Sequence, residues 1–382
     1  MKKGILALWV ILVFLIAFLM WKFVGRGNEV LDPINQTNPS KSPFDLKVDS
    51  KIVGFLPSFM VGKTIIYSNE VDDLIFLGVE VDEKGNLIWD SQARKVDSQS
   101  YFKQKESIKK AGGKNILGIK LFDDEKLNKL MASEEAKKNL IEQIKLSVRS
   151  KNFDGVNLDF EYQDSPTTIA GDDFYSFLTA LKNENLGEIS VDVFANTILR
   201  SDMGNLKRLV DESDYLIVMA YDFHRSGSTN AGPVAPIRAP IGERNISEVA
   251  LRVDELKLNK NKIILAYPLY GYEWVTETME FGSLTKENGV ALASYKRMVE
   301  MLSKPEFLIS NFKLNHDDIS QTPWLSYEEN GKIHQIYYEN LESISAKVKL
   351  VIDNKLGGVG FWALGYEGEN RDIWEGLGLL YN

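Results

Sequence analysis

Two carboxylic acids and an amide alternate with apolar residues in one short segment of this chain, Asp154–Tyr162. If the segment forms a β-strand, Asn157, Asp159 and Glu161 share one face and apolar side chains occupy the other. Two carboxyl groups at this spacing on a buried face can share a proton, because like charges at close range cannot both ionise easily. Glu161 is therefore a candidate general acid near neutral pH. The alternatives are an exposed edge strand with accidental acidic spacing and a structural hydrogen-bond cluster, but the uniformly apolar opposite face favours a buried, functional strand.

The elements that must position these residues form a repeating pattern of short β-rich segments and amphipathic segments. Eight apolar segments occur, at residues 52–56, 74–81, 116–121, 155–160, 189–194, 215–220, 263–267 and 359–363. Between the third and fourth of them, helical spacing of apolar residues predicts a helix over 133–148, with Ser133 as its N-cap. Eight such units predict an α/β fold, a (β/α)8 TIM barrel. Glu161 then lies at the carboxyl end of the fourth strand, where the active sites of such barrels lie.

The gap between the seventh and eighth segments is too long for one helix and contains a strand-like segment of its own at 333–338. We expect an inserted α+β subdomain between strands 7 and 8, at approximately 275–340. The whole barrel domain is assigned to 47–382.

The amino terminus predicts export. An uncharged run of 18 residues, 4–21, follows Lys2 and Lys3, and this length is sufficient to span a bilayer. Residues 1–27 are therefore predicted to be a transmembrane signal anchor. A cleaved signal peptide is the alternative, although no small-residue cleavage site follows the run. Residues 28–46 are polar and proline-containing, which is typical of a flexible linker. The localisation expected is the cell membrane, single-pass with an extracytoplasmic catalytic domain, or secretion if the segment is cleaved.

The charge and composition of the body exclude several classes of partner. Beyond residue 27 the chain has 41 Lys and Arg against 54 Asp and Glu, a net charge of −13, which opposes binding to nucleic acid. There are no cysteines and only three histidines, scattered in sequence, so a zinc site of the usual kind is not expected. A monomer is expected, although no sequence feature reports on oligomeric state.

Four motifs together closely resemble those of glycoside hydrolase family 18, the chitinase-like barrels. The fourth-strand signature D-G-x-D-x-D-x-E is matched by Asp154, Gly155, Asp159 and Glu161, whereas Asn157 replaces its first inner aspartate. Three further segments match in order: Met219-Ala220-Tyr221-Asp222, Pro268-Leu269-Tyr270-Gly271 and Gly357-Gly358-Val359-Gly360-Phe361-Trp362. The resemblance extends over residues 48–380.

The resemblance implies retaining, substrate-assisted hydrolysis of β-1,4 bonds in N-acetylglucosamine-containing glycans, without cofactor or metal. Glu161 would protonate the leaving oxygen, and Asp159 would orient the acetamido group of the substrate, which attacks the anomeric carbon. Tyr221 and Asp222 would hold that group, and Trp362 would form the floor under the sugar. The remaining residues expected to contact substrate are Asn157, Met219, Tyr270 and Trp274.

Several residues depart from the family pattern or lack a clear role. The third strand lacks the usual S-x-G-G, and its Lys120 faces the lumen or caps the strand end. Because Asn157 replaces an aspartate, we expect one fewer shared proton and an altered acid limb of the pH–rate profile. Trp274 and Trp324 are candidate sugar platforms or packing anchors. A structural or peripheral role is expected for His224.

Two non-enzymatic functions are alternatives to hydrolysis. One is a chitinase-like lectin that binds N-acetylated glycans without cutting them, and the other is a membrane-anchored scaffold of the cell envelope. The presence of Glu161 favours the enzyme. Chitin, chitooligosaccharides, peptidoglycan and N-glycan cores all carry the acetamido group, and the predicted membrane anchor favours envelope glycan or oligosaccharides over crystalline chitin.

Overall fold

The structure is a computed structural model that describes residues 50–161, 171–200, 203–304 and 312–381. Its strands are β1 (Lys51–Pro57), β2 (Asp73–Val81), β3 (Leu87–Ile88), β4 (Lys114–Leu121), β5 (Gly155–Phe160), β6 (Glu188–Phe194), β7 (Tyr215–Met219), β8 (Ile263–Pro268), β9 (Tyr270–Thr276), β10 (Thr285–Ser294), β11 (Phe312–Asp317), β12 (Thr322–Glu329), β13 (Lys332–Tyr337) and β14 (Gly358–Trp362). Its α-helices are α1 (Gln99–Lys110), α2 (Asp124–Ala132), α3 (Glu134–Lys151), α4 (Asp172–Lys182), α5 (Ala195–Arg200), α6 (Met203–Glu212), α7 (Ile246–Glu255), α8 (Tyr295–Leu302), α9 (Leu341–Asp353) and α10 (Asp372–Tyr381).

Eight parallel strands close into a barrel. They follow the order β1, β2, β4, β5, β6, β7, β8 and β14, and β14 pairs with β1. Each of the eight apolar segments coincides with one of these strands, so the predicted (β/α)8 architecture is confirmed. The helix predicted at 133–148 is α3, and the Ser133 side chain caps it by accepting a hydrogen bond from the Ala136 backbone N–H.

A second sheet lies in the chain between β8 and β14. It has five antiparallel strands in the order β10, β9, β13, β12 and β11, and α8 follows β10. This region is the α+β insertion expected there, and the boundaries assigned to it and to the other domains stay predictions. The insertion matters for function because Tyr272 of β9 and Leu292 of β10 line the same cleft as the barrel residues.

The lower barrel interior is filled by apolar side chains, as the fold requires. Its core consists of Val53, Phe55, Ile75, Ile116, Ile217, Ile264 and Ala266, against which Tyr221 and Trp362 pack. The acidic side chains that line a cleft lie at the carboxyl ends of the strands, beyond this apolar core. Burying carboxyl groups is costly unless they serve a site.

Two signature residues at the start of β5 hold that strand in place. The Asp154 Oδ2 atom accepts a hydrogen bond from the Asn115 backbone N–H at 2.9 Å, which ties β5 to β4. A Cβ atom on Gly155 would lie 2.2 Å from the carbonyl oxygen of Glu188, so only glycine fits between β5 and β6. Asp154 and Gly155 therefore fix the position of the strand that carries Asp159 and Glu161.

The predicted signal anchor, 1–27, and the predicted linker, 28–46, lie outside the described residues. No helix in the part of the chain that is described is both long enough and apolar enough to cross a membrane.

Candidate active site

A cleft of about 370 Å³ opens at the carboxyl ends of the barrel strands. It brings together most of the residues selected from the sequence: Asp159, Glu161, Met219, Tyr221, Asp222, Tyr270 and Trp362. They come from the barrel strands β5, β7 and β14, from the residues that follow β5 and β7, and from the start of β9, although they span two hundred positions of the sequence. Active sites of TIM barrels lie at this end.

The polar row of β5 points into the barrel, in agreement with its alternation. Lys120 of β4 is in register with Asp159, and the Glu161 backbone N–H donates to the Leu121 carbonyl at 3.1 Å. Strand geometry therefore continues one residue beyond β5. Asn157 is fully buried, Asp159 is 4% exposed and Glu161 is half-buried. The row thus runs from the barrel interior up to the surface of the cleft.

A third acidic side chain, Asp192 of β6, lies beside this row. The Asn157 amide nitrogen donates to Asp192 Oδ1 at 2.7 Å and to Ser190 Oγ at 3.0 Å. Asp192 is 2% exposed and lines the cleft with Asp159. The neighbouring strand thus supplies a carboxyl group beside Asn157, and the expectation of one fewer shared proton stays a prediction. Asn157 itself is fully buried and does not line the cleft, so the substrate contact expected for it is wrong.

The carboxyl groups of the site favour their protonated forms. Burial, followed by the charge of Asp222, raises the pKa of Glu161 to about 7. Burial and the charges of Asp192 and Glu161 raise the pKa of Asp159 well above its usual range. Burial likewise raises the pKa of Asp192. At neutral pH, Glu161 can therefore hold a proton while it faces the cleft, which is what a general acid requires.

Tyr221, Asp222 and Tyr270 form one packed group in the cleft wall. The Tyr270 hydroxyl donates a 2.6 Å hydrogen bond to Asp222 Oδ1, and the rings of Tyr221 and Tyr270 meet edge to face with centroids 6.3 Å apart. Asp222 has a left-handed backbone, with φ of 58°, a conformation that Asp adopts more readily than most residues. The hydrogen bond and this turn hold the Asp222 carboxyl group in the wall.

Trp362 ends β14 and presents a half-buried ring to the cleft. Its ring centroid lies 5.8 Å from that of Phe55, a buried residue of the barrel core. An indole supported from below and open above can bind the apolar face of a sugar. Met219 of β7 also borders the cleft and is 7% exposed.

Lys120 faces the cleft, which decides between the two positions considered for it. Its Nζ atom lies 3.1 Å from Glu80 Oε1 and 5.5 Å from the ring centroid of Phe122. Phe122 itself is 45% exposed at the cleft. The third strand thus contributes a cation and an exposed aromatic ring where the family pattern has small residues.

The structure contradicts a substrate-contacting role for Trp274. This residue is completely buried and packs against Trp324, Tyr270 and Tyr337 in a cluster between the barrel and the inserted sheet. Trp324 lies in the same cluster, so neither indole can serve as a sugar platform. The Nδ1 atom of His224 is 2.9 Å from the Pro233 carbonyl oxygen, which fits the structural role expected for it.

The cleft contains residues that the sequence analysis did not select. Asp192 could have been found, because it alternates with Ser190 between the apolar residues Ile189, Val191 and Val193. Tyr272, Leu292 and Phe59 also line the cleft, but their positions depend on how loops and the inserted sheet fold over the barrel. Among the described residues, no group of three or more His, Asp or Glu side chains is arranged to hold a metal ion.

The model for Glycosyl hydrolases family 18 matches residues 51–367. The chain belongs to glycosyl hydrolase family 18. This family 18 barrel is thus assigned to a family of glycoside hydrolases, and its relatives include a putative glycosylase and a probable chitinase.

One curated relative of this family 18 barrel is the cortical fragment-lytic enzyme of Bacillus subtilis. It is 24% identical over 255 residues, which cover 64% of this chain and 54% of the relative. The chain thus spans about half the length of that protein.

Two solved structures share the fold at low sequence identity. The spore cortex-lytic enzyme SleL of Bacillus megaterium QM B1551 has a TM-score of 0.68 at 19% identity, with 89% of this chain and 76% of that chain covered. A Cycas revoluta GH18 chitinase mutant in complex with (GlcNAc)4 has a TM-score of 0.72 at 18% identity, with 87% of this chain and 100% of that chain covered.

Proposed function

We propose that this enzyme hydrolyses β-1,4 glycosidic bonds of N-acetylglucosamine-containing glycans by a retaining, substrate-assisted mechanism. The observation that carries the proposal is the pair Glu161 and Asp159 at the cleft. Glu161 has a pKa of about 7, so it can donate a proton at neutral pH. Asp159 has a pKa well above its usual range, and a protonated carboxyl group is not a nucleophile. In this proposal the acetamido oxygen of the substrate is therefore the nucleophile.

Glu161 and Asp159 carry out the steps of the proposed reaction. Glu161 donates its proton to the glycosidic oxygen as the bond to the anomeric carbon breaks. The carbonyl oxygen of the acetamido group attacks that carbon and forms a cyclic oxazolinium ion, beside Asp159. Water then attacks the anomeric carbon and gives a proton to the Glu161 carboxylate. Two inversions at one carbon leave its configuration unchanged.

The other cleft residues are proposed to position the sugar that carries the acetamido group. Trp362 would support the apolar face of the ring, and Met219 would lie beside it. Tyr221 and Asp222 would contact the acetamido group, with Tyr270 holding the Asp222 carboxyl group by its 2.6 Å hydrogen bond. The partner is thus an N-acetylated polysaccharide or oligosaccharide.

We propose envelope glycan or its oligosaccharide fragments as the substrate, rather than crystalline chitin. The similarity to a cortical fragment-lytic enzyme supports this choice, as does the uncharged run at residues 4–21. A barrel held near a membrane by residues 1–27 would meet glycan of the envelope before any other polymer. In this proposal the catalytic domain is extracytoplasmic and acts as a monomer.

Replacing the acid tests the reaction. We expect Glu161→Gln to reduce turnover of chitooligosaccharides and peptidoglycan fragments by about 100-fold or more, with the dissociation constant for the glycan changed by less than about threefold. Glu125→Gln, the same change at an exposed residue of α2, is the control and should match the unmodified enzyme. Glycan binding without turnover in the unmodified protein would indicate a lectin, and neither binding nor turnover would indicate a scaffold.

The chemistry has a separate test. NMR of the first products should show the β-anomer, and a thiazoline analogue of the oxazolinium ion should inhibit far more tightly than the product sugar. Initial formation of the α-anomer would refute a retaining mechanism. Product analysis on chitooligosaccharides and on peptidoglycan, side by side, separates the two substrate classes.

The proposed anchor is tested by fractionation. The full chain expressed in a bacterium should remain with membranes after a high-salt wash, whereas residues 45–382 alone should be released. If cells that express the full chain instead release a product without the amino-terminal segment into the medium, the segment is a cleaved signal peptide.

A further inference from the structure

The residue at the base of the cleft that no motif selected is Asp192 of β6. In the register of β5 and β6, Asn157 pairs with Ser190 and Leu158 with Val191, so Asp159 and Asp192 follow at the same level. Both side chains face the lumen and line the cleft. Their exposed fractions are 4% and 2%, so water screens neither carboxyl group effectively.

The surroundings of this pair provide little positive charge. Among the described residues, the titratable groups that face it are Lys120 from β4, Glu161 from the end of β5 and Tyr221 after β7. Lys120 is the one cation among them, and it forms an ion pair with Glu80 at 3.1 Å. Two buried carboxylates beside further acidic groups cannot both ionise at neutral pH without a large cost.

The hydrogen bonds around the pair also require a proton. Asn157 directs its amide nitrogen at Asp192 Oδ1 and Ser190 Oγ, which uses both of its donors. Within the described residues, Asp159 Oδ1 and Asn157 Oδ1 are buried acceptors that receive no hydrogen bond. A buried acceptor without a donor is unfavourable, and more so if it is charged. A proton on the carboxyl pair supplies a hydrogen-bond donor beside these two acceptors.

We propose that Asp192 and Asp159 share a single proton across β5 and β6, and that Asp192 is thereby a positioning residue that controls the charge of Asp159 during the reaction. The catalytic part of this inference rests on the proposed function. The pair carries one negative charge in total. When positive charge develops on the acetamido group, the proton moves to Asp192 and the negative charge is left on Asp159. When water opens the oxazolinium ion, the proton returns, so the pair neither gains nor loses a proton.

In this arrangement Asn157 has a function of its own, which is to hold the Asp192 carboxyl group. The family signature places an aspartate at this position of β5, two residues before Asp159. Here the carboxyl group stands on the neighbouring strand, and the amide at position 157 holds it through the 2.7 Å hydrogen bond. The number of carboxyl groups near Asp159 is kept although the fourth-strand motif is incomplete.

Three variants test the inference: Asp192→Asn, Asn157→Asp, and the double variant that combines them and returns the carboxyl group to β5. We expect Asp192→Asn to lower kcat by about 10- to 100-fold with little change in KM. The double variant should recover to within about threefold of the unmodified enzyme. Asn157→Asp alone adds a carboxyl group and should move the pH–rate profile without abolishing activity. A double variant no more active than Asp192→Asn would overturn the inference, because a purely structural role is not restored by moving the charge.

Infrared spectroscopy tests the proton without relying on activity. In Glu161→Gln enzyme containing isotope-labelled aspartate, the stretch of a protonated aspartic acid should persist at neutral pH. As the pH is raised, this band should disappear at a lower pH in Asp192→Asn/Glu161→Gln than in Glu161→Gln. The reason is that removal of the neighbouring like charge favours ionisation of Asp159. Absence of the band at pH 7 from the Glu161→Gln protein would refute the shared proton whether or not the other variants fold. If the unmodified enzyme cuts no glycan, the proposed function fails while this measurement still decides the proton.

Discussion

Replacing Lys120 by Met should move the base limb of the pH–rate profile to higher pH. Lys120 lines the cleft, and its positive charge opposes the burial and the Asp222 charge that raise the pKa of Glu161. Without Lys120, the protonated form of Glu161 is favoured further. Glu161 must hold its proton to act as an acid, so activity should then persist at higher pH.

The size of the shift follows from the pKa of Glu161. An ordinary glutamic acid with the reference pKa of 4.5 is about 0.3% protonated at pH 7, whereas at a pKa of about 7 Glu161 is half protonated. The elevation therefore increases the active fraction by about 150-fold. One charge across a partly wet cleft, already paired with Glu80, should contribute about half a unit to one unit of pKa. At pH 8 the protonated fraction then rises by about 2.5- to 5.5-fold.

The assay is kcat/KM for a fluorogenic chitooligosaccharide between pH 5 and 9, with each variant normalised to its own value at pH 6. Lys120→Arg keeps the charge and should keep the base limb. Lys126→Met removes the same charge from an exposed residue of α2 outside the cleft and should also leave the profile unchanged. A base limb that stays in place in Lys120→Met, or moves equally in Lys126→Met, would show that Glu161 does not set this limb.

Three further outcomes are expected. Glu367 is fully buried with a pKa raised to about 7 by burial, so the folded state holds a proton that the unfolded chain releases near pH 4.5. Stability present below pH 4.5 is then lost as the pH rises through 7, by up to about 3 kcal/mol, and urea unfolding of Glu367→Gln should show a correspondingly smaller loss. Phe122→Ala should weaken binding of long oligosaccharides, but not of disaccharides, by about 0.5 to 1.5 kcal/mol through loss of a contact between the exposed ring and sugar. Equal weakening of both would contradict this. Trp274→Ala should destabilise the fold by about 3 to 5 kcal/mol, and a KM effect in protein that remains folded would instead reinstate Trp274 as a contact.

The barrel and half of the site follow from local sequence patterns. Alternation in a strand decides which face Asp159 and Glu161 occupy, and the closed parallel architecture decides at which end they lie. Both inferences need only the spacing of residues within one element. Asp192 could have been predicted for the same reason, since it alternates with Ser190 between apolar residues of β6.

The outer part of the site could not be predicted in this way. Trp274 precedes a stretch of inserted strands, and alternation within β9 does not tell which face meets the barrel. In the structure Tyr272 lines the cleft, while Trp274, on the same strand, is enclosed with Tyr337 of β13. The position of Phe122 likewise depends on where α2 begins after β4. These placements come from packing between elements, which periodicity does not describe.

The hydrogen bond from Asn157 to Asp192 has a consequence for how such sites change during evolution. Aspartate and asparagine codons differ by one nucleotide, so a lineage can exchange them singly but not both at once. Between a site with its carboxyl group on β5 and one with it on β6, the intermediate has either an additional acid or none beside Asp159. If the intermediate with an additional acid keeps activity and the other does not, only one order of substitutions is open. Successive substitutions can then transfer the carboxyl group beside Asp159 from one strand to the other, and the enzyme stays active at every step.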